Sequence, residues 1–217
     1  MNPIKNTKNT NASKIFLIQS KAIPMFAAIL MVLGTISTAK AEYYIQGAYG
    51  FGMVDDLTGS RNGVATSSSA DENPSSIGLE FGMDRMAIDP KIRVGVGYQA
   101  MDIEYTDGTN LDATIYSANA YYFIGEKLRD DEGLHPYVGA GILLADYGDD
   151  DMKYGIALHA GADYPVNEDV SVGGKYTYLN TDGPSGQSTT PNATYSNEGI
   201  TGHIFAATAT YRFQGGM

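Results

Sequence analysis

The stretch Thr201–Phe213, TGHIFAATATYRF, constrains the fold more than any other part of the chain. Counted in twos from its end, Phe213, Tyr211, Ala209, Ala207 and Phe205 fall on one face. Arg212, Thr210, Thr208, Ala206 and Ile204 fall on the other. Successive side chains of a β-strand point to opposite faces, so this is a strand with one apolar side and one small or polar side. Its position near the C-terminus, with an aromatic at its end, is unusual for a soluble sheet. In a closed barrel such a strand pairs with the first one and removes both sheet edges. The expectation is a small barrel that crosses a membrane, with Phe205, Tyr211 and Phe213 on the closing strand.

The N-terminus predicts export. Lys5, Lys8, Lys14 and Lys21 precede an almost wholly apolar run, Ile23–Ile36, and no acidic residue occurs before Glu42. Ala39-Lys40-Ala41 supplies a small-x-small cleavage pattern, so residues 1–41 read as a signal peptide. The apolar run is short against the roughly 20 residues that a spanning helix needs. The domain expected after cleavage is Glu42–Met217. Five of the 14 basic residues and none of the 25 acidic ones precede it, which leaves nine against 25, a formal charge of −16. Such a chain repels nucleic acid, whose phosphates need clustered Lys and Arg. No later segment has the apolar length of a transmembrane helix. Cysteine is absent, so closure and packing must hold the fold, and the 16 tyrosines suit a membrane–water boundary.

The same two-residue period recurs along the chain. Seven further strands are expected at Tyr43–Phe51, Ser75–Arg85, Lys91–Tyr105, Ala113–Gly125, Pro136–Asp146, Met152–Tyr164 and Val170–Asn180. Two long polar stretches, Gly52–Pro74 and Thr181–Ile200, have no such period and read as exposed loops. Strands of about 10 residues suit a tilted membrane crossing, whereas soluble strands average about 5–6. The predicted fold is therefore all-β: an eight-stranded antiparallel up-and-down transmembrane β-barrel.

An eight-stranded barrel has an interior that side chains fill. Strand parity points Glu80, Asp84, Arg93, Asn119, His159, Asp163, Lys175 and Arg212 inward. Buried charges need partners, so Glu80, Asp84, Arg93, Asp163, Lys175 and Arg212 are expected to form one linked network. They could line an ion path, but the narrow lumen favours a plug of salt bridges.

At this point the residues resemble a family. HIFAATATYRF is similar to the C-terminal strand of bacterial outer-membrane β-barrels, with Phe213 as terminal aromatic and Tyr211 two before it. The run Pro136-Tyr137-Val138-Gly139-Ala140-Gly141 resembles the corresponding strand of small opacity-type and OmpX-like surface proteins. The resemblance implies a place in the outer membrane, contact with its lipid and lipopolysaccharide, and a last strand read by the barrel-assembly machinery. Here Gln214–Met217 follow the aromatic, a departure from the usual ending. The family shares no catalytic residues, so none are carried over.

Other chemistry is weakly signalled. His135, His159 and His203 are scattered, and no His-x-His or HExxH spacing occurs, so neither a metal site nor a cofactor is expected. Asp146 with Asp149–Asp151 reads as a solvated acidic loop before it reads as a calcium site. An acyl hydrolase would need a Ser–His pair at the lipid-facing surface, and parity turns His159 inward. The reading is a monomeric surface protein, structural or adhesin- or antigen-like, whose long loops could contact a host or extracellular ligand. The alternative is a small porin-like channel.

Overall fold

Alternating sequence becomes a closed sheet. The computed structural model describes residues 42–55, 57–61, 64–68, 73–84, 89–104, 110–125, 133–147, 152–182, 185–187, 193–196 and 200–214. The expected signal segment and the Asp149–Asp151 run lie outside them. In chain order the strands are β1 Glu42–Val54, β2 Leu57–Arg61, β3 Val64–Ser68, β4 Ser75–Asp84, β5 Ile92–Glu104 and β6 Asn110–Phe123. They continue with β7 His135–Asp146, β8 Lys153–Pro165, β9 Val170–Thr181, β10 Ser185–Gln187, β11 Ala193–Ser196 and β12 Ile200–Gln214. Eight of them form a closed antiparallel barrel in the order β1-β12-β9-β8-β7-β6-β5-β4. The closing strand is β12, whose Phe213 stands opposite Tyr43 of β1 and whose Phe205 stands opposite Phe51.

The register sets the shape. Followed strand by strand, Tyr43 stands opposite Met83, then Val94, Ala120, Ala140, Leu158, Tyr178 and His203, and the ladder re-enters β1 at Met53, ten residues beyond its start. A stagger of this kind tilts the strands by about 35–45° from the barrel axis. Both strand ends named by residues 42 and 214 lie at one rim, together with the tight β8–β9 turn, where Val166 and Asn167 donate backbone hydrogen bonds to Val170. In membrane barrels the short turns face the periplasm and the long connections face outside.

Parity decides which side of each strand meets lipid. On β4, Ile77 and Leu79 are 60% and 57% exposed, while Ser76 and Glu80 are 4% and 5% exposed. Exposed apolar side chains cover the outer wall on every barrel strand except β5 and β6, whose exposed large residues are Tyr98 and Tyr122, and among the described residues no packed layer lies over them. Lipid supplies that contact. Aromatic rings gather toward both rims: Tyr43 stacks on Phe81 and Phe213 near the periplasmic one, and Phe51 stacks on Phe205 near the outer one. Tyr and Phe rings suit the headgroup boundary.

Two expectations are corrected. The stretches Gly52–Pro74 and Thr181–Ile200 are not wholly irregular. Strand β1 runs on to Val54, and β2, β3, β10 and β11 form a second antiparallel sheet in the order β10-β11-β2-β3. Its strands read LTGSR, VATSS, SGQ and ATYS, too short and too rich in hydroxyl and glycine residues to show a two-residue apolar period. Their pairing is also remote in sequence, with Ala193 opposite Arg61. Strand β6 starts at Asn110 rather than Ala113, because polar Asn110–Asp112 still pair with Asp102–Glu104 of β5. The barrel strands run 10 to 15 residues, longer than a bare crossing, since several continue past the membrane.

Candidate functional site

The inward side chains make three layers, ordered by their positions along the strands. The periplasmic layer is ionic. Arg93 Nη2 donates to Asp84 Oδ2 at 2.9 Å and Arg93 Nη1 to Asp163 Oδ2 at 3.0 Å. Arg212 Nε donates to Asp84 Oδ2 at 2.8 Å, and its Nη2 lies 3.7 Å from Asp163 Oδ2. Four strands, β4, β5, β8 and β12, are tied by these four side chains. Arg93 also lies between two rings, 4.8 Å from the Tyr44 centroid and 4.6 Å from that of Phe123. A planar guanidinium suits both the forked carboxylate contact and the ring faces. All four charged side chains are buried, so removing one leaves an opposite charge inside the barrel with less compensation.

The middle layer centres on Glu80. Its carboxylate accepts hydrogen bonds from the hydroxyls of Tyr44 and Tyr121, the latter at 2.7 Å, and from Asn119 Nδ2 at 2.7 Å. Asn119 Nδ2 also donates to Ser117 Oγ at 2.9 Å. With both amide protons so used, Asn119 Oδ1 is an acceptor for His159 Nε2 at 3.2 Å. His159 Nδ1 lies 3.0 Å from Thr177 Oγ1, so both ring nitrogens are engaged. Lys175 Nζ donates to Gln46 Oε1 at 3.3 Å, and Gln46 Nε2 to Thr210 Oγ1 at 2.9 Å.

Small residues make this packing possible. A Cβ at Gly95 would fall on the Tyr44 hydroxyl and one at Gly141 on Asn119 Oδ1, so Tyr44 reaches past β4 to a glycine of β5 and Asn119 lies over a glycine of the adjoining β7. That is why Gly and Ala crowd the inward face of the sequence.

The outer layer is apolar. Met101, Ile103, Ile115, Leu143, Leu179, Ile200 and Ile204 are each no more than 5% exposed and form one cluster with Ala113, Ala145, Ala157 and Tyr147. These residues have inward parity, yet their run of large apolar side chains breaks the small-or-polar pattern expected of the inward face. The physical reason is position: above the middle layer the lumen is filled like a soluble core, by apolar packing rather than ion pairs.

The expected single charge network is thus divided. Asp84, Arg93, Asp163 and Arg212 come together, while Glu80 and Lys175 lie in the layer above, with no direct ion pair between them or to the other four. Strand parity also turns Tyr44, Gln46 and Tyr121 inward, although nothing in the sequence marks them for a role. Parity was the signal available; that their hydroxyl and amide groups converge on Glu80 and Lys175 depends on register. The three closing-strand residues all face outward, Tyr211 and Phe213 toward the periplasmic rim and Phe205 toward the outer one.

Outside the lumen, His203 Nδ1 and the Tyr176 hydroxyl are 2.8 Å apart on the lipid-facing side, and the rings stack. The partner of this outward histidine is a tyrosine, and no hydrogen bond joins a serine to a histidine among the described residues. Nor do the described residues gather three or more His, Asp or Glu as metal ligands.

These features define a class: a closed antiparallel barrel of eight strands, apolar outside and filled within, that crosses a membrane. The sequence matches the model of the outer membrane protein beta-barrel domain over residues 25–213. The chain belongs to that family, and its place is the bacterial outer membrane, in contact with its lipid. Solved structures share the fold. Neisserial surface protein A is 16% identical with a TM-score of 0.52, covering 79% of this chain and 97% of its own. OprG of Pseudomonas aeruginosa is 14% identical with a TM-score of 0.54, covering 81% and 97%. AlkL, solved in lipid bilayers, is 14% identical with a TM-score of 0.52, covering 83% and 95%. No curated protein matches the sequence.

Proposed function

We propose that this protein is a non-conducting, non-enzymatic surface barrel, structural or adhesin-like, whose ligand contacts are carried by its outer connections. The observation that carries this reading is the filled lumen. An apolar cluster occupies the outer part and a buried Arg–Asp lattice the periplasmic part. Hydrophobic constrictions oppose wetting, and fixed ion pairs oppose passage, so neither layer offers an aqueous path. The sheet β10-β11-β2-β3 gives the two long connections a backbone of their own, and loops held by a rigid scaffold commonly carry binding. In the same reading residues 1–41 are a cleaved signal peptide, the Phe205–Phe213 strand is read by the barrel-assembly machinery, and the barrel is a monomer that contacts lipopolysaccharide.

The second reading is a small porin-like channel, favoured by the polar middle layer with its cavity between Glu80 and Lys175. Single-channel recording on protein purified from outer membranes and reconstituted in planar bilayers separates the two. Silence from a barrel that still shows heat-shifted gel mobility is expected. Stable discrete conductance would overturn the proposal in favour of the channel.

A further inference from the structure

The middle layer contains an acid and a base that share a cavity without touching. Glu80 and Lys175 both line a space of about 40 Å3, together with Gln46, Ser76, Gln99 and Asn119. No direct ion pair joins Lys175 to Glu80, and the Lys175 ammonium is directed at Gln46 instead. A separated pair of opposite charges in a dry lumen would lack hydrogen-bond partners on their facing sides.

Hydrogen-bond capacity shows what is needed. The ammonium of Lys175 has three donors, and one is directed at Gln46. The Glu80 carboxylate accepts three hydrogen bonds and has room for about one more. His159, by contrast, has both ring nitrogens occupied. The cavity therefore presents unused donors on one wall and an unused acceptor site on the other.

Charge decides the kind of ligand. The ionic layer pairs Asp84 and Asp163 with Arg93 and Arg212, and the middle layer holds one acid, Glu80, and one base, Lys175, so acidic and basic groups balance within each layer. An extra cation or anion would find no uncompensated charge. A neutral molecule that both donates and accepts fits, and at about 10–15 Å3 of accessible volume for each water the space holds about three or four at most.

We propose that a cluster of two or three waters in this cavity bridges Lys175 to Glu80 and ties β9 to β4 across the lumen. This bridge is independent of the ligand that the outer connections take.

Its signature is a sign. Ala206 lines the cavity beside Lys175, its partner in register, so Ala206→Val adds apolar volume there without changing charge. A dry cavity gains stability when filled, whereas displaced bridging waters leave Glu80 and Lys175 without partners. The expected result is a lower urea midpoint for Ala206→Val in lipid vesicles. Glu80→Gln and Lys175→Met are expected to be coupled, the double variant being less destabilised than the sum of the singles by about tenfold in the unfolding equilibrium. Magnetisation transfer from water to the Gln46 amide and Lys175 ammonium, read by NMR in bilayers, checks the wild-type protein without mutation. A raised midpoint for Ala206→Val with additive single variants would overturn the bridge, as would the lack of any water transfer to these two groups.

Discussion

The periplasmic and outer parts of the lumen occupy the same barrel and are filled by opposite means. Near the periplasm, two arginines and two aspartates lock four strands through hydrogen-bonded charge. Toward the outside, mostly aliphatic side chains pack in the manner of a soluble core, with the Tyr147 hydroxyl bonded to Thr181 at its edge. The difference teaches where specificity resides. Charge pairs demand one register, because a slip of one residue turns every inward charge to lipid, whereas apolar packing accepts substitutions of similar volume. The ionic end is therefore expected to be intolerant and the apolar end forgiving.

The largest test breaks the ionic end. Arg93→Met leaves Asp84 and Asp163 buried with one shared cation fewer, and is expected to lower stability by about 3–5 kcal/mol. Urea titration of the refolded variant in lipid vesicles reads it, and a loss below that of the apolar-end variant Leu179→Ala would remove the contrast. Turning the outer wall polar sharpens the comparison from the other side. Leu79→Arg puts a charge on the lipid face of β4 and should weaken folding in bilayers by about 2–4 kcal/mol. A mild effect would contradict the assigned parity.

Within the apolar end, Leu179→Ala opens a cavity in the cluster and is expected to destabilise by about 2–3 kcal/mol, near the low end for such truncations. Leu179→Met, which keeps volume, should be tolerated within about 1 kcal/mol in the same titration. The Phe213 ring stacks on Tyr43 and Tyr211 and lies tilted against Phe81 at the lipid surface, without a buried network around it. Phe213→Ala is expected to lower stability by only about 0.5–1.5 kcal/mol. Yield in the outer membrane falling far more than this stability change would single out the strand's role in assembly.

The smallest effect lies outside the membrane. Asp102 and Asp112 face each other above the Tyr98–Tyr116 pair, and hydrogen bonding and charge from Asp102 raise the Asp112 carboxyl above its ordinary value. A raised folded-state value means that this pair favours the fold in acid. The contribution is complete below the ordinary carboxyl range and lost as pH rises through the raised value. Asp112→Asn should flatten that acid dependence and slightly raise stability at neutral pH, read from urea midpoints across the acid range.

Much of this architecture was legible in the sequence. The alternation of Phe205–Phe213 and of Ile77–Met83 sets which faces meet lipid, and the count of such segments gives eight strands. Inward placement of Glu80, Asp84, Arg93, Asp163, Lys175 and Arg212 follows from the same period. Less visible were the hydroxyl-rich strands β2, β3, β10 and β11, whose backbone pairing leaves no apolar rhythm. Inward Met101, Ile115 and Leu179 carried the right parity, but nothing local marked them as one cluster.

A two-residue period is a property of one strand, so the sequence by itself determined the inside and outside of this barrel and the strand that closes it. Register is a relation between strands. Only the tertiary structure decided that the ladder from Tyr43 returns at Met53, and with it which charges meet. That stagger brings Arg93 to Asp84 and Asp163 while holding Glu80 and Lys175 apart across a cavity. The side chains chose their faces through local alternation; their partners were chosen by the closure of the sheet.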